Sequence, residues 1–473
     1  MYSLQVKYSI STDLFSNLNS QKGRQIVKRL DIDDDRDKTW SILQLFEQGG
    51  IEMKLDFYGI HNSSVVLKIL LTKAPYSSKM ESMQYILRLT ENDIQNSLQR
   101  NKSVLLLGAR QTGKTTLIQR LPADLSISFV RPDVRQQYEK NSTLLVGEVE
   151  ALKSKTPAAR PLVVLDEVQR VPEILDIVQD LIDRKIANFI LTGSSARKLR
   201  HGSHINLLPG RVTALKLNPL NIQEIPQTDL KTHLLYGSLP AIHQVTSLKD
   251  KEIDLSSYVI TYLEEEIRAE AIVRNLGPFA RFLESAAIES GKVVNFRKLS
   301  QEIGVAHTTI ASYYQILEDC LIVEKIMPLT KSETRKKLTK THKYIFFDMG
   351  VRRLTAHQNT QLTKEMWGYL FEQFIGLQLI QLAELSDKNI QIKFWRDPDG
   401  PEVDFIVDNN HSYLPLEVKW TKSPTAKDVK HLKVFLNEYP NAKQAYLICQ
   451  CERDVALEKN ITAIPWQKIK NIF

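Results

Sequence analysis

The most informative segment of this chain is VLLLGARQTGKTT, residues 104–116. Its apolar start predicts a buried strand, and the residues after that strand match the G-x-x-x-x-G-K-[ST] spacing of a phosphate-binding loop that leads into a helix. The glycines let the backbone turn tightly, so that N–H groups can surround phosphate oxygens. The alternative is a surface loop that matches the pattern by chance. The predicted nucleotide-binding residues are Gly108, Ala109, Arg110, Gln111, Thr112, Gly113, Lys114, Thr115 and Thr116.

An acidic pair follows a second apolar strand, PLVVLDE, residues 161–167. Open α/β sheets bind ligands at the carboxyl ends of their strands, where Asp166 and Glu167 stand. We expect ATP and Mg²⁺ here, with Lys114 at the β- and γ-phosphates and with Thr115 and Asp166 as ligands of the ion. Glu167 would polarise the attacking water, which favours hydrolysis over nucleotide storage. Without the loop, such a pair is typical of a solvated turn.

A third strand, NFILTGSS at residues 188–195, ends in hydroxyl side chains. We expect Ser194 to sense the γ-phosphate from this position. Apolar strands alternate with helix-like segments from residue 101 to residue 216, which predicts a parallel sheet flanked by helices.

The composition is that of a soluble globular protein, with 473 residues of which 42% are hydrophobic and 25% charged. The formal net charge of +8 permits a polyanion partner without identifying one. Three cysteines exclude a disulfide framework, and ten histidines show no zinc-ligand spacing. We find no signal peptide and no apolar stretch near the roughly 18 residues of a membrane span. We therefore expect a cytoplasmic protein without a membrane partner.

The rest of the chain divides into further regions. Residues 1–82 predict a small α+β extension whose role is unknown, and residues 83–225 hold the phosphate loop and its sheet. Residues 226–342 predict helices and a winged helix, because residues 298–329 read as helix, glycine turn, second helix and two apolar strands. Residues 343–473 predict a C-terminal α/β domain.

A second cluster of charged residues is predicted in EVDFIVDNNHSYLPLEVKW, residues 402–420. Period-2 spacing places Glu402 with Asp404 on one strand face and Glu417 with Lys419 on the next. If the register brings the pairs together, Asp404 and Glu417 can hold Mg²⁺ while Lys419 stabilises charge on a nucleophile or a phosphate. The alternative is two solvated faces of an edge hairpin.

Five segments together resemble a family of prokaryotic ATPases in which an AAA-type P-loop domain precedes a C-terminal domain of unknown function. The segments are GARQTGKTTLI, LDEVQRVPEIL, LTGSSARKL, GRVTALKLNPL and YGSLPAI. The resemblance covers roughly residues 83–473. It implies that the C-terminal domain is restriction-endonuclease-like, with a PD-(D/E)xK core to which Glu372 adds an acid. Such cores also serve as inactive binding modules.

The resemblance also implies an arginine that reaches the γ-phosphate of a neighbouring subunit. Arg211 is the candidate, with Arg197 behind it, and a homo-oligomer would then be required for turnover. The alternative is a surface arginine that ends a strand.

Two segments are candidates for DNA contact. The predicted recognition helix, residues 307–319, starts with polar residues, none of them basic, and helices of this type also pack on proteins. The basic run at residues 331–343 would suit phosphate contacts without sequence preference. The helix residues are His307, Thr308, Thr309, Ser312 and Tyr313, and the basic residues are Lys331, Arg335, Lys336, Lys337, Lys340 and Lys343. In residues 343–354, Asp348 and Gly350 predict a structural turn.

The sequence therefore predicts a Mg²⁺-dependent ATPase coupled to a nuclease-like domain that binds or cleaves DNA. The alternative is a nucleotide-dependent switch that remodels a protein partner and keeps the C-terminal domain as a binding surface.

Overall fold

The computed structural model describes residues 5–6, 32–33, 51–61, 64–73, 85–155, 159–195, 210–225, 229–264, 276–330, 338–386, 389–398 and 400–473. The chain forms two compact units, Met1–Tyr85 and Ile86–Phe473. In the described part of the chain, no helix combines the length and the apolar character needed to cross a bilayer.

The first unit consists of strands where it is described. β1 (Gln5–Val6) pairs with β2 (Ile32–Asp33), and β3 (Ile51–His61) pairs with β4 (Ser64–Lys73), both antiparallel. The helical part of the α+β prediction concerns residues outside the described ones.

The second unit begins with a five-stranded parallel sheet. Its strands are β5 (Ser103–Leu107), β6 (Leu125–Ser128), β7 (Leu162–Asp166), β8 (Asn188–Gly193) and β9 (Val212–Lys216), in the order β6-β7-β8-β5-β9. The connecting helices are α1 (Thr90–Gln99), α2 (Lys114–Ile118), α3 (Pro132–Lys140), α4 (Leu144–Lys155) and α5 (Ile174–Asp183). Apolar runs such as Val163–Leu165 are fully buried, as expected of a strand covered on both faces. The predicted parallel sheet is confirmed.

A helical region comes next. It contains α6 (Leu230–Tyr236), α7 (Pro240–Gln244), α8 (Leu248–Tyr258), a π-helical segment (Val259–Glu264), α9 (Leu276–Ile288), α10 (Phe296–Ile303) and α11 (His307–Asp319). Asn295 caps the start of α10, because its side chain accepts from the N–H of Lys298. Gly304 follows the last turn of this helix with a φ of 78°. The helix, glycine turn and helix thus succeed each other in the predicted order.

An eight-stranded mixed sheet completes the unit. It contains β10 (Val323–Pro328), β11 (Lys343–Phe346), β12 (Gln391–Arg396), β13 (Glu402–Asp408), β14 (Tyr413–Val418), β15 (Ala445–Cys449), β16 (Val455–Glu458) and β17 (Ile461–Pro465). Its order is β11-β10-β12-β13-β14-β15-β17-β16. Three helices accompany it, α12 (Met349–Thr355), α13 (Lys364–Glu384) and α14 (Lys430–Glu438).

The eight-stranded sheet runs across the boundary that we predicted between residues 342 and 343. Residues 319–329 contain one strand, β10, where we predicted two. Its antiparallel partner is β11, with Val323 opposite Phe346, as in a wing. However, β10 also pairs in parallel with β12, where Met327 lies opposite Lys393. The predicted wing is therefore part of the C-terminal sheet.

Burial contradicts two of the expected DNA contacts. Tyr313 of the predicted recognition helix is only 7% exposed and packs edge-on against Phe279 at 4.9 Å between ring centroids. Lys343 is 3% exposed and points into the C-terminal domain. The other described candidates are not buried in this way, while residues 331–337 lie outside the described part of the chain. Thr309 is half-buried, and the exposed ones are His307, Thr308, Ser312 and Lys340.

Candidate functional site

The phosphate loop lies between β5 and α2, at the carboxyl end of the five-stranded sheet. Gly108 is packed so closely that a Cβ there would lie 2.5 Å from the carbonyl oxygen of Leu217. Gly113 has a φ of 97°, which only glycine adopts readily. The buried Lys114 donates from Nζ to the carbonyl oxygens of Gly108 at 2.7 Å and of Ala109 at 3.1 Å. The ammonium group is therefore held against the backbone of the loop.

Asp166 collects hydroxyl groups from three different segments. Thr192 donates to its Oδ1 at 2.6 Å, and Ser128 donates to its Oδ2 at 3.1 Å. Thr115, in the first turn of α2, donates to the same Oδ2 at 3.4 Å. A carboxylate and a hydroxyl so close together are hard oxygen donors of the kind that Mg²⁺ takes, so these residues fit the ion.

Glu167 lies beside Lys114, with 3.9 Å between Oε1 and Nζ. Burial lowers the pKa of Lys114, and the nearby carboxylates of Glu167 and Asp166 act in the opposite direction. The other oxygen of Glu167, Oε2, accepts from Ser194 at 3.0 Å and from Gln169 at 2.5 Å. Gln169 Nε2 also donates to Ser194 Oγ at 2.9 Å. Because β8 lies between β5 and β7, its carboxyl end brings Ser194 to the acidic pair.

An arginine that the sequence analysis did not identify bonds to the backbone of the phosphate loop. Arg88, 5% exposed, donates from one terminal nitrogen to the carbonyl oxygen of Thr112 at 2.6 Å and from the other to that of Asn218 at 2.6 Å. Its Nε pairs with Glu224 at 3.0 Å. No motif marks this residue, because its partners lie 24 to 136 positions away in the sequence.

The helical region also contacts the phosphate loop. Tyr258 of α8 donates its hydroxyl to the carbonyl oxygen of Arg110 at 3.3 Å, and Ala109 packs in the same core cluster as Tyr236 and Leu239. Of the other predicted loop residues, Gln111, Thr115 and Thr116 are exposed. A conformational change in the phosphate loop would therefore directly alter its contacts with the region of α6 to α8.

Arg211 lies at the opposite edge of the sheet from the phosphate loop. It precedes β9, whose first residue Val212 pairs with Ser103 at the start of β5. Its guanidinium forms two bonds with Asp183, at 2.7 and 2.9 Å. The structure does not bring Arg211 to this chain's own phosphate loop, and its action on a neighbouring subunit stays a prediction. Arg197 lies outside the described residues.

The C-terminal charged residues converge as the predicted register requires. Phe405 lies opposite Leu416 in the antiparallel pair, so the next position along places Asp404 opposite Glu417. Asp404 Oδ2 accepts from the N–H of Val418 at 2.8 Å. Lys419 Nζ bonds to Glu417 Oε1 at 2.6 Å.

Two further residues complete this group, Glu372 of α13 and Lys343, which the sequence analysis did not assign to it. We call the group the acidic cluster, and its members are Glu372, Glu402, Asp404, Glu417, Lys343 and Lys419. Lys343 Nζ lies 3.1 Å from Glu402 Oε1 and 3.5 Å from Glu372 Oε1. Burial and the neighbouring Asp404 raise the pKa of Glu372 to about 7. Burial also raises the pKa of Asp404 and, together with Asp404, that of Glu417. The two lysines therefore do not fully balance the carboxylates.

Whether the cluster fits a metal ion can be judged from its donors. In the described part of the chain, no three His, Cys, Asp or Glu side chains are placed to hold one together. Glu417 Oε2, however, is buried and has no hydrogen-bond partner among the described residues. Mg²⁺ is commonly held by one or two carboxylates and several waters, so Asp404 and Glu417 fit it.

Families of known proteins match successive parts of the second unit. An AAA domain matches residues 100–226, a domain of unknown function (DUF8612) matches residues 227–386, and another (DUF4143) matches residues 367–469. The chain thus carries a P-loop ATPase-like AAA domain followed by a C-terminal domain of unknown function. This part of the predicted resemblance is confirmed.

Similar proteins occur in bacteria and archaea. The uncharacterized protein Rv2008c of Mycobacterium tuberculosis is 26% identical over 380 residues, which are 80% of this chain and 82% of that protein. The uncharacterized protein MJ1637 of Methanocaldococcus jannaschii is 22% identical and covers 89% of this chain and 94% of its own.

Solved structures show weaker likeness. A Pif1 helicase, from work on DNA unwinding at forked duplexes, aligns with 37% of this chain and about half, 52%, of its own at 17% identity and a TM-score of 0.22. The DNA clamp loader delta protein of Bacillus subtilis aligns with 48% of this chain and 87% of its own at 11% identity and a TM-score of 0.21. TM-scores of this size do not establish a common fold.

Proposed function

We propose that this protein is a Mg²⁺-dependent ATPase whose nucleotide cycle controls a nuclease-like domain that binds or cleaves DNA. The observation that supports hydrolysis is the meeting of Lys114, Asp166, Glu167 and Ser194 at the carboxyl end of the five-stranded sheet. The AAA domain that contains all four residues supports nucleotide-dependent activity.

The roles of the residues follow from their positions. Lys114 would leave the carbonyl oxygens of the loop and bond to the β- and γ-phosphates, a net gain because charged partners bond more strongly. Thr115 and Asp166 would hold Mg²⁺, which neutralises charge on the phosphates when it is bound. Glu167 would accept a proton from the attacking water, and Ser194 and Gln169 orient the carboxylate for this.

The acidic cluster supports the nuclease-like part. The hairpin of β13 and β14 carries Asp404 and Glu417, with Lys419 directly after β14, and the preceding helix α13 supplies Glu372. In such a site Asp404 and Glu417 would hold Mg²⁺, and Lys419 would stabilise charge that develops on a phosphate or a nucleophile.

The first experiment measures ATP hydrolysis with and without DNA for the wild type, Lys114→Ala and Glu167→Gln. We expect DNA to raise the wild-type rate and Glu167→Gln to lower kcat by about 10²–10⁴-fold while nucleotide binding persists. Lys114→Ala should lose nucleotide binding as well. Hydrolysis that survives in Glu167→Gln would contradict the assigned proton acceptor.

DNA cleavage is assayed on gels in the same reactions, beside Asp404→Ala. We expect any cleavage to depend on Asp404 and Mg²⁺. The matched control is Asp454→Ala, which removes a carboxylate from an exposed pair with Lys468 and should leave cleavage unchanged.

A nucleotide-dependent switch that acts on a protein partner is the second candidate function. It is favoured by the lysines that already hold Glu417, Glu372 and Glu402, and by the lack of a three-ligand metal group in the described part of the chain. ATP hydrolysis that is indifferent to DNA, together with no cleavage, would select this function over the first.

A further inference from the structure

Lys343 stands apart from the motif that predicted the acidic cluster. It belongs to β11, where its backbone pairs with Ile326 of β10, whereas the other lysine, Lys419, directly follows β14. Its side chain is 4% exposed and reaches between α13 and β13. A buried ammonium group is retained only where carboxylates compensate it.

Carboxylate oxygens lie around the ammonium group of Lys343 as they would lie around a metal ion. Its Nζ contacts one oxygen each from Glu402 and Glu372, and it also interacts electrostatically with Asp404. The ammonium group also lies over the ring of Phe394, with 5.0 Å from Nζ to the ring centroid. A second cation beside these carboxylates would have to displace it.

The opposite end of the cluster is different. Glu417 is 5% exposed, and its Oε2 is buried without a hydrogen-bond partner among the described residues. Asp404 faces it across the strand pair and keeps Oδ1 available, since the N–H of Val418 bonds to Oδ2. Two carboxylate oxygens are thus offered at this end. Lys419 is also close, since it bonds to the other oxygen of Glu417 at 2.6 Å and is attracted to Asp404, but it contacts one carboxylate where Lys343 contacts two.

Charge balance limits the number of ions. Four carboxylates face two lysines, and Arg396 lies 3.6 Å from the outer oxygen of Glu402. Whether or not Arg396 is counted, one divalent cation brings the cluster to within one charge of neutrality. A second would leave an excess of two or three positive charges in a largely buried place, which is costly.

We propose that the acidic cluster binds a single divalent cation between Asp404 and Glu417, and that the ammonium group of Lys343 occupies the position of a second ion beside Glu372 and Glu402. This inference rests on the proposed function of the cluster as a metal site. It goes further because it sets the stoichiometry and assigns Lys343, which lies outside the D…ExK motif, as a positioning residue.

The test is Mn²⁺ binding to the full-length, nucleotide-free protein, measured from the electron paramagnetic resonance signal of free Mn²⁺. Ions at the phosphate loop are excluded by measuring every protein in an Asp166→Asn background, and dependence on Asp404 is measured by adding Asp404→Asn to each variant. We expect one Asp404-dependent ion in the wild type and in Lys343→Arg. Lys343→Met should bind two, because the neutral side chain leaves Glu372 and Glu402 uncompensated.

Two bound ions in the wild type, or one in a folded Lys343→Met, would overturn the inference and leave metal-dependent cleavage standing. No Asp404-dependent ion in the wild type would overturn both this inference and the nuclease part of the proposed function. If Lys343→Met does not fold, Glu402→Gln decides the question. It should still bind one ion, and loss of that ion would show that Glu402 is a ligand and would contradict the role of Lys343.

Discussion

Arg88 links the phosphate loop to the segment that follows β9. It bonds through its guanidinium to the carbonyl oxygens of Thr112 and Asn218 and to the carboxylate of Glu224. Glu224 in turn accepts from the N–H groups of Leu89 and Asn221. One buried ion pair therefore fixes both the loop and the chain on either side of it.

We predict that Arg88→Ala lowers the free energy of unfolding by about 3–5 kcal/mol, because it leaves the 1%-exposed carboxylate of Glu224 buried without its cation. Nucleotide binding should weaken too, since the carbonyl of Thr112 loses its donor. The matched control is Arg131→Ala, whose pair with Asp133 is about two-thirds exposed on both sides, so that its loss should change stability far less. Urea denaturation of both variants tests this, and equal losses would show that the pair does not hold the loop.

Asp348 links the start of α12 to the segment between α6 and α7. It caps α12 by accepting from the N–H of Val351 at 3.0 Å, and its other oxygen accepts from the N–H of Ser238 at 2.7 Å. Gly237 makes this approach possible, because a Cβ there would overlap the carboxylate of Asp348. The structural turn expected at Asp348 is thus a helix cap that also anchors the YGSLP segment.

We predict that Asp348→Ala destabilises the protein by more than the usual loss of a helix cap. The cap itself is worth about 1 kcal/mol, and the N–H of Ser238, left buried without an acceptor, adds about 1–3 kcal/mol. Asp229→Ala is the control, because Asp229 caps α6 at an exposed position through the N–H of Thr232. Thermal denaturation should show the larger shift for Asp348→Ala, and similar shifts would contradict the anchoring role.

His233 makes the packing of α6 on α13 dependent on pH. Its ring stacks on Phe374 at 5.4 Å, and neither ring nitrogen bonds to any described residue. Burial lowers the pKa of His233 from 6.5 to about 4, helped by His243 and Lys251 and opposed by Asp229. A depressed histidine pKa means that protonation favours the unfolded state.

We therefore predict that the contribution of His233 is fully present above pH 6.5 and is lost as pH falls towards 4, by about 3 kcal/mol at most. His233→Phe keeps a ring against Phe374 without this dependence, so its stability relative to the wild type should rise over that range. Urea midpoints at several pH values measure the difference. His411→Phe, at an exposed turn, should keep the wild-type slope, and parallel slopes for both variants would contradict the prediction.

At the scale of the whole second unit, α13 and the eight-stranded sheet tie the parts together. Gln378 Oε1 accepts from the N–H of Ile222, and Glu384 accepts from Lys216 at 3.1 Å and from Asn218 at 2.6 Å. The helix that carries Glu372 is therefore bonded to the segment that Arg88 and Glu224 connect to the phosphate loop. A continuous set of contacts therefore joins the phosphate loop to the helix that contributes to the acidic cluster.

We predict that residues 343–473 do not fold as an independent unit, whereas residues 229–473 do. In the shorter fragment β11 loses β10, its pairing partner, and β12 loses its parallel neighbour. An apolar strand edge left open in this way promotes aggregation. Near-ultraviolet circular dichroism and the cooperativity of denaturation compare the two fragments, and a cooperative transition of 343–473 would show that the predicted boundary is a true one.

The phosphate loop, the acidic pair and the five parallel strands could all be predicted from the amino-acid sequence. These features are local: the spacing of glycines, the length of an apolar run and the residue that ends it are read within about ten positions. The period-2 pattern likewise placed Glu402 with Asp404 on one strand face and Glu417 with Lys419 on the next, whereas the register of the two strands, which brings the pairs together, came from the structure.

The distant residues that complete these sites could not be predicted in the same way, because they depend on how the chain packs. Arg88 reaches Thr112 and Glu224, Lys343 lies among carboxylates 29 and 59 positions further on, and Tyr313 turns into the core. Sheet order and helix packing set these contacts, and neither is encoded in a local period. A lysine in a basic run is solvated by default, and Lys343 differs because β11 pairs with β10 and so points it into the acidic cluster.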